Sequence, residues 1–196
     1  MLRDARRTMA GALLCVAALS ACGRLTEERH RSESAAFLKS LTDAGAAGRI
    51  GSLEGHVYLL HPNHPSPLRD WSVTLLPLPP DQEAAIQRAH EQYVRHGREP
   101  LPIDRFREAR QLLERVAARS KELGHGELIR TTKTDAREGK FVFSDVPEGR
   151  WLLTAELPAK SSVLLWARPV TVTAGELTKH RLLNDVTIWL DGLTPE

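Results

Sequence analysis

Cysteine is scarce in this sequence, and so are aromatic residues and long apolar runs. The two cysteines, Cys15 and Cys22, lie in the first 22 residues, so a chain that loses residues 1–21 keeps one thiol and cannot form an internal disulfide. Aromatic residues amount to 5%, although four of them are tryptophans. The apolar stretch Met9 to Leu19 falls short of the ~20 residues that span a bilayer as a helix. These shortages exclude a disulfide-rich scaffold and a helical membrane span.

An excess of charge of either sign is missing as well. The chain carries 27 basic and 25 acidic side chains, a net charge of +2. Residues 1–21 hold three arginines and one aspartate, so their removal leaves 24 basic and 24 acidic side chains. A neutral chain without a basic stripe excludes nucleic acid as a partner.

Motifs of catalysis are absent too. The sequence has no Gly-x-Ser-x-Gly elbow, no phosphate-binding glycine loop and no His-Glu-x-x-His zinc motif. His61 and His64 lie on either side of Asn63, with His56 nearby, but zinc needs three or four ligands in fixed geometry. We interpret these as exposed loop histidines, and we predict a non-enzymatic protein with no catalytic residue, metal or cofactor.

What the sequence does contain is a targeting segment. Three arginines precede the apolar stretch, which ends in Leu19-Ser20-Ala21-Cys22. Positive charge, an apolar core and small residues in this order are typical of a signal peptide, and the last four residues resemble the lipobox of bacterial lipoproteins. The resemblance implies cleavage after Ala21 and acylation at Cys22, which would anchor the protein firmly because each buried CH₂ adds ~0.8 kcal/mol.

The residue after the cysteine bears on localisation. Aspartate at this position commonly retains Gram-negative lipoproteins in the inner membrane, whereas this chain has Gly23. We therefore expect lipid anchoring in the cell envelope, at the outer membrane, with the protein facing either the periplasm or the cell surface.

Residues 22–50 are predicted to be a lipidated tether between the signal peptide, 1–21, and a folded domain, 51–196. The segment Gly23 to Ser34 is polar and charged, and Ala44 to Gly51 is rich in glycine and alanine, as expected for a flexible linker. Between them, Phe37, Leu38 and Leu41 could form one side of a short helix.

The folded domain reads as short strands interrupted by a helical insertion, 81–126. Apolar residues recur at helical spacing in two stretches there, around Ile86 and around Val116, which predicts a helical hairpin. Alternating apolar residues between glycine and proline turns predict the strands of a β-sandwich. These strands cover residues 53–60, 71–78, 140–143, 151–157, 162–166, 169–173, 177–183 and 186–190.

The segment Thr132 to Ala155 resembles the carboxypeptidase-regulatory-like domains, which have a transthyretin-like β-sandwich. The resemblance rests on a Thr-Asp turn, a glycine, a Phe-x-Phe strand, a Val-Pro-x-Gly turn and an aromatic strand. Here these are Thr134-Asp135, Gly139, Phe141 and Phe143, Val146-Pro147-Glu148-Gly149, and Trp151, with Gly55-His56-Val57 as the opening strand. It implies a mainly β, non-catalytic module; the helical insertion and one extra residue before Gly139 depart from the pattern.

Two groups of residues are candidate contact sites. Arg110, Glu114 and Lys121 on the second predicted helix could bind a partner protein, although an interleaved charge pattern also suits a solvated face. Trp166 and Trp189 lie near strand ends and could form a platform for sugar rings, although core positions are the favoured interpretation for both.

We therefore predict a membrane-anchored structural or binding module, with an envelope protein or a glycan as partner. The alternatives are an assembly subunit of an envelope machine, because outer-membrane lipoproteins of type VI secretion systems are also transthyretin-like sandwiches with added helices, and a glycan-binding module.

Overall fold

A computed structural model describes the backbone of residues 5–60, 64–95, 103–158, 163–183 and 189–190. Within these ranges the side chains are described from residue 26 onward, except those of residues 60, 92–95, 103, 105–106 and 189–190. The helices are α1 (Ala5–Ala46), α2 (Pro80–Arg95) and α3 (Ile103–Glu122), with a short 3₁₀ turn at Gly126–Leu128. The strands are β1 (Ile50–Leu60), β2 (Pro65–Pro67), β3 (Ser72–Pro77), β4 (Arg130–Lys133), β5 (Lys140–Pro147), β6 (Gly149–Pro158), β7 (Val163–Val172), β8 (Leu177–Leu183) and β9 (Trp189–Leu190).

The strands form two sheets, which face each other as a β-sandwich. In sheet A, β1 pairs antiparallel with β5 and β2 along one side, and parallel with β8 along the other. In sheet B the order is β4-β3-β6-β7-β9, and all its pairs are antiparallel. The predicted mainly β architecture is confirmed at this level.

Alternation along the strands explains the core. Phe141 and Phe143 of β5 are 1% and 5% exposed, whereas Val142 between them is 45% exposed, because successive side chains point to opposite faces of a sheet. Phe141 and Phe143 join Leu53, Val57 and Trp151 between the two sheets. The predicted packing of the Phe-x-Phe strand and of Trp151 is therefore confirmed.

Sheet B is buried on both faces, because helices α2 and α3 cover its outer side. Leu152 and Leu165 point outward from β6 and β7 and pack with Ile86 of α2 and Val116 of α3 in a second apolar cluster. The two predicted helices are thus present, and their apolar stripes make a third layer on the sandwich.

The predicted tether differs from what the structure has in this region. Helix α1 continues to Ala46, and its residues Ser34, Leu38, Leu41 and Ala44 are at most 2% exposed. Leu38 and Leu41 belong to the cluster between the sheets, and a Cβ placed at Gly149 would overlap Leu41. The packed body therefore begins near residue 34, because the apolar stripe of this helix covers an end of the sandwich.

One strand prediction also needs correction. The two predicted strands, 162–166 and 169–173, correspond to one strand, β7, which runs without a break over Val163–Val172. Within the described residues, β9 pairs with β7 only at Leu164 and Leu165. Pro169 therefore lies at the edge of the sheet, where its missing N–H is tolerated.

Candidate functional site

The outer faces of the two sheets differ sharply. Helices α2 and α3 cover the outer face of sheet B, whereas Val142 and Leu177 on the outer face of sheet A are 45% and 49% exposed. Monomeric proteins commonly solvate one face of an antiparallel sheet, so the chemistry of the side chains on this open face decides whether it is a site.

Strand β1 supplies the centre of this face. Leu53, Gly55 and Val57 are buried, so the alternating residues Glu54, His56 and Tyr58 point outward. The rings of His56 and Tyr58 stack with their centroids 5.6 Å apart and an interplanar angle of 14°. The two rings give the open face a flat, partly apolar surface.

Glu54 forms ion pairs with lysines of the strands on both sides of β1. Lys140 Nζ of β5 lies 2.8 Å from Glu54 Oε2, and Lys179 Nζ of β8 lies 3.4 Å from Glu54 Oε1. The hydrogen bond from Lys140 is the main reason that the pKa of Glu54 lies below its ordinary value, and the same contact raises the pKa of Lys140. One carboxylate is thus shared by two ammonium groups.

A cavity of about 510 Å³ lies along β8 at the side of this face, within the ~300–1,000 Å³ of small-molecule sites. It is lined by Glu54, Gly55, His56, Arg168, Lys179, His180, Arg181 and Leu183. Three permanent cations and two histidines therefore surround one carboxylate, which is already paired. The cavity is electropositive.

His180 occupies a special place at this cavity. Partial burial, and next the charge of Arg168, hold the pKa of His180 below its ordinary value. Both residues also line a second cavity of about 260 Å³ that reaches Ile86, Gln87 and His90 of α2. Arg168 and His180 thus connect the two cavities.

The candidate partner-binding residues of α3 lie together, although they do not simply face outward. Arg110, Glu114 and Lys121 line one cavity of about 440 Å³ between α3 and sheet B. Arg110 Nη2 lies 3.4 Å from Glu156 Oε1 of β6, and Arg110 Nε lies 3.7 Å from Glu114 Oε1. Arg110 therefore ties the helix to the sheet.

Trp166 occupies a core position, the interpretation that the sequence favours, and it is not available as part of a sugar platform. Trp166 is fully buried, and its Nε1 donates a hydrogen bond to the carbonyl of Leu183 at 2.9 Å. Burial of this ring is favourable because its apolar part packs between the sheets while the indole N–H keeps a carbonyl partner. The side chain of Trp189 lies outside the described residues, although its backbone pairs with Leu165 of β7.

The remaining predicted site residues are quickly placed. Cys22 lies within α1 among residues whose side chains are not described, and His61 also lies outside the described residues. In the described ranges, histidine, cysteine and carboxylate side chains form no group of three that could hold a metal ion. No described helix is both long and apolar enough to cross a membrane.

Sequence reasoning missed the cationic cavity. Its signal was present in Leu177 to Leu183, where Lys179 and Arg181 alternate with the buried Leu182. Only the parallel pairing of β8 with β1, which sets Glu54 opposite Lys179 and His56 opposite Arg181, brings these residues together.

Comparison with known proteins gives one distant likeness. No family model and no curated protein matches the chain. A crystal structure of a proposed carbohydrate-binding protein from Pseudomonas aeruginosa is similar over 69% of this chain and 89% of its own length, with 18% sequence identity and a TM-score of 0.41.

Proposed function

We propose that this protein is a lipid-anchored binding module of the cell envelope, built on a transthyretin-like β-sandwich and held at the outer membrane through Cys22. It catalyses no reaction, and it presents the open face of sheet A to a ligand or partner. The anchor is inferred from the sequence, and the binding face is inferred from the surface of the folded body.

The observation that carries the binding role is the difference between the two sheets. The outer face of sheet B is apolar and lies under α2 and α3. The outer face of sheet A carries the stacked His56 and Tyr58 and borders the electropositive cavity along β8. A concave surface with an aromatic patch and convergent charged groups is the usual form of a binding site.

The transthyretin-like class is supported by the positions of the motif residues. Asp135 Oδ1 accepts hydrogen bonds from the backbone N–H groups of Arg137, Glu138 and Gly139, at 3.0, 2.6 and 3.0 Å. This turn leads into the Phe-x-Phe strand, as in the family pattern. The two helices then form an addition outside the sandwich.

The anchor is tested by replacing Cys22 with serine, since serine provides no thiol for acylation. We expect the wild-type protein in the membrane fraction, with an acylated N-terminal peptide beginning at Cys22 by mass spectrometry. The Cys22→Ser variant should remain uncleaved and unacylated. An unacylated wild-type protein that is nevertheless cleaved elsewhere would refute the anchor.

The binding face is tested by in-cell photo-crosslinking, with a diazirine amino acid at Val142 or Leu177. Diazirines insert into C–H bonds of proteins and sugars alike. On a gel, a discrete crosslinked band would indicate a protein partner, and a ladder of bands would indicate a glycan. We expect crosslinks from these two positions and none from the exposed Lys39 of α1. Failure at both positions would refute a role for sheet A.

A second candidate, an assembly subunit of an envelope machine, is favoured by the 440 Å³ cavity beside α3. Its partner would crosslink from Arg110, Glu114 or Lys121 instead. Replacing the whole insertion by a linker is a poor test, because it would expose Leu152 and Leu165. Single replacements at these exposed positions leave the apolar layer intact.

A further inference from the structure

From the cavity along β8, we infer that this protein binds an oxyanion, a carboxylate or a phosphate group, between the guanidinium groups of Arg168 and Arg181. The inference rests on the proposed function for the face that it uses, and it adds the chemical class of the ligand. Charge balance, the form of the cationic groups and the position of His180 support it.

Charge is unbalanced at this cavity. Arg168, Lys179 and Arg181 line it together with a single carboxylate, Glu54. That carboxylate already accepts contacts from Lys140 and Lys179, at 2.8 and 3.4 Å. Arg168 and Arg181 take part in no ion pair with another described residue, which leaves their positive charge available to a ligand.

The kind of cation also matters. A guanidinium group is a planar fork that binds both oxygens of a carboxylate, or two oxygens of a phosphate, at once. Lys179 adds a point charge beside the two arginines, on the same outward face of β8 as Arg181. Such a set of cationic donors favours binding of an oxyanion over binding of a neutral apolar molecule.

His180 lies where it would sense the ligand. Its pKa is held low by partial burial and by the neighbouring charge of Arg168. The titratable and charged groups that line the two cavities around it are Glu54, His56, His90, Arg168, Lys179 and Arg181. An anion seated beside Arg168 would offset this positive charge, so that His180 gains a proton more easily when the ligand is bound.

The aromatic surface next to the cavity extends the site. His56 lines the cavity and stacks on Tyr58, so a ring attached to the oxyanion could lie on this pair. A sugar acid has both features, a carboxylate and a ring with an apolar face, whereas inorganic phosphate has only the charge. Comparing the two separates the contribution of the charge from that of the ring.

The test is titration of the full-length, lipidated protein in an uncharged detergent without sugar groups. Sodium phosphate, galacturonate and its neutral counterpart galactose serve as probes, and the NMR signals of His180 report binding. We expect both anions to shift these signals and to raise the pKa of His180, and galactose to do neither. Tighter binding of galacturonate identifies a sugar acid as the source of the oxyanion; tighter binding of phosphate identifies a phosphate group.

Two variants and a control locate the site. Arg168→Gln and Arg181→Gln should each weaken anion binding about tenfold or more, because each removes a charge-assisted contact. Arg107→Gln on α3, which removes the same charge far from the cavity, should leave binding unchanged. Thermal unfolding of all three variants shows whether they fold, and Arg181→Gln suffices should Arg168→Gln unfold.

The inference is overturned by any of three results. These are no shift with either anion, an equal shift with galactose, or unchanged anion binding in Arg181→Gln. Crosslinks from Val142 or Leu177 that persist alongside such a result would leave the binding role of sheet A standing and remove only the oxyanion. If neither crosslinks nor anion binding are observed, the proposed function is refuted as well.

Discussion

The ring of Phe141 lies where a side chain at Gly55 would have to be. A Cβ built on Gly55 would stand 2.6 Å from Phe141 Cζ, and it would also overlap the carbonyl oxygen of His180 on the neighbouring strand. The glycine of the opening strand and the first phenylalanine of the Phe-x-Phe strand therefore form one packing unit. Their pairing across sheet A is direct, with Gly55 opposite Phe141.

Alanine at Gly55 should destabilise the fold by about 1–3 kcal/mol, as overpacking of a full core does. Thermal unfolding followed by circular dichroism measures this. Gly126→Ala is the matched control, since a Cβ there has ordinary contacts, the nearest at 3.5 Å. Because Phe141→Leu makes room at the site, the double variant should lose less stability than the sum of the two single changes; strict additivity would contradict the packing unit.

The C-terminal part of α1 should behave as part of the folded body. Leu41→Ala is expected to cost about 2–5 kcal/mol, the range for a buried leucine that leaves a cavity. A variant that begins at residue 34 should keep most of its stability, because none of residues 26–33 is buried. It loses the exposed Arg29–Glu33 pair, which contributes little, and the contact of Glu27 with Arg119. A variant that begins at residue 51 should unfold at a clearly lower temperature. Equal unfolding temperatures of the two variants would instead indicate that the tether extends to residue 50.

Thr134 should be needed for its hydroxyl rather than for its shape. It is 2% exposed, its Oγ1 donates to the carbonyl of Leu68 at 2.7 Å, and it accepts the N–H of Trp71 at 2.8 Å. Thr134→Val keeps the shape but leaves both backbone groups unpaired, so a loss of about 2 kcal/mol is expected. Thr134→Ser keeps the hydroxyl and should lose less. Chemical denaturation of the two variants gives the comparison, and equal losses would contradict this role.

Stability should fall in mild acid through His180. Because its pKa is lower in the folded protein than in the unfolded chain, the unfolded chain binds the proton more readily, and protonation favours unfolding. The contribution is complete above the unfolded pKa of ~6.5, and it is lost as the pH falls through the lower folded value.

Denaturation midpoints between pH 7 and pH 5 test this sign. His180→Gln should show a weaker fall over this range than the wild type, because glutamine takes up no proton. Arg168→Gln should also reduce the fall, since Arg168 is the second cause of the lowered pKa. An unchanged pH dependence in His180→Gln would assign the fall to other groups.

Periodicity accounts for what could be predicted about the fold. The alternation in β5 and the helical stripes of α2 and α3 state which face of each element is buried, so the core positions of Phe141, Phe143 and Trp151 follow from local sequence. The sequence favours a core position for Trp166 but leaves a surface position open, because a tryptophan near a strand end fits either. Its burial depends on the carbonyl of Leu183, which belongs to another strand.

The candidate site could not be found in the same way. Glu54 and Lys179 stand 125 positions apart in the numbering, and local patterns do not state which strands become neighbours. The alternation of Lys179 and Arg181 marked an outward face of β8, but it did not state that β8 pairs with β1. Arg168 and His180 meet only because β7 of one sheet runs beside β8 of the other.

The sequence by itself therefore determined that the chain forms a mainly β sandwich with two added helices, and that Phe141, Phe143 and Trp151 lie between its sheets, because these features follow from local order and periodicity. Tertiary structure alone decided that α1 joins the body, that Trp166 is buried, and that Arg168, Lys179, His180 and Arg181 surround one cavity. The physical reason is that strand pairing and helix docking are set by the total apolar surface that distant segments bury together, a quantity that no single segment records.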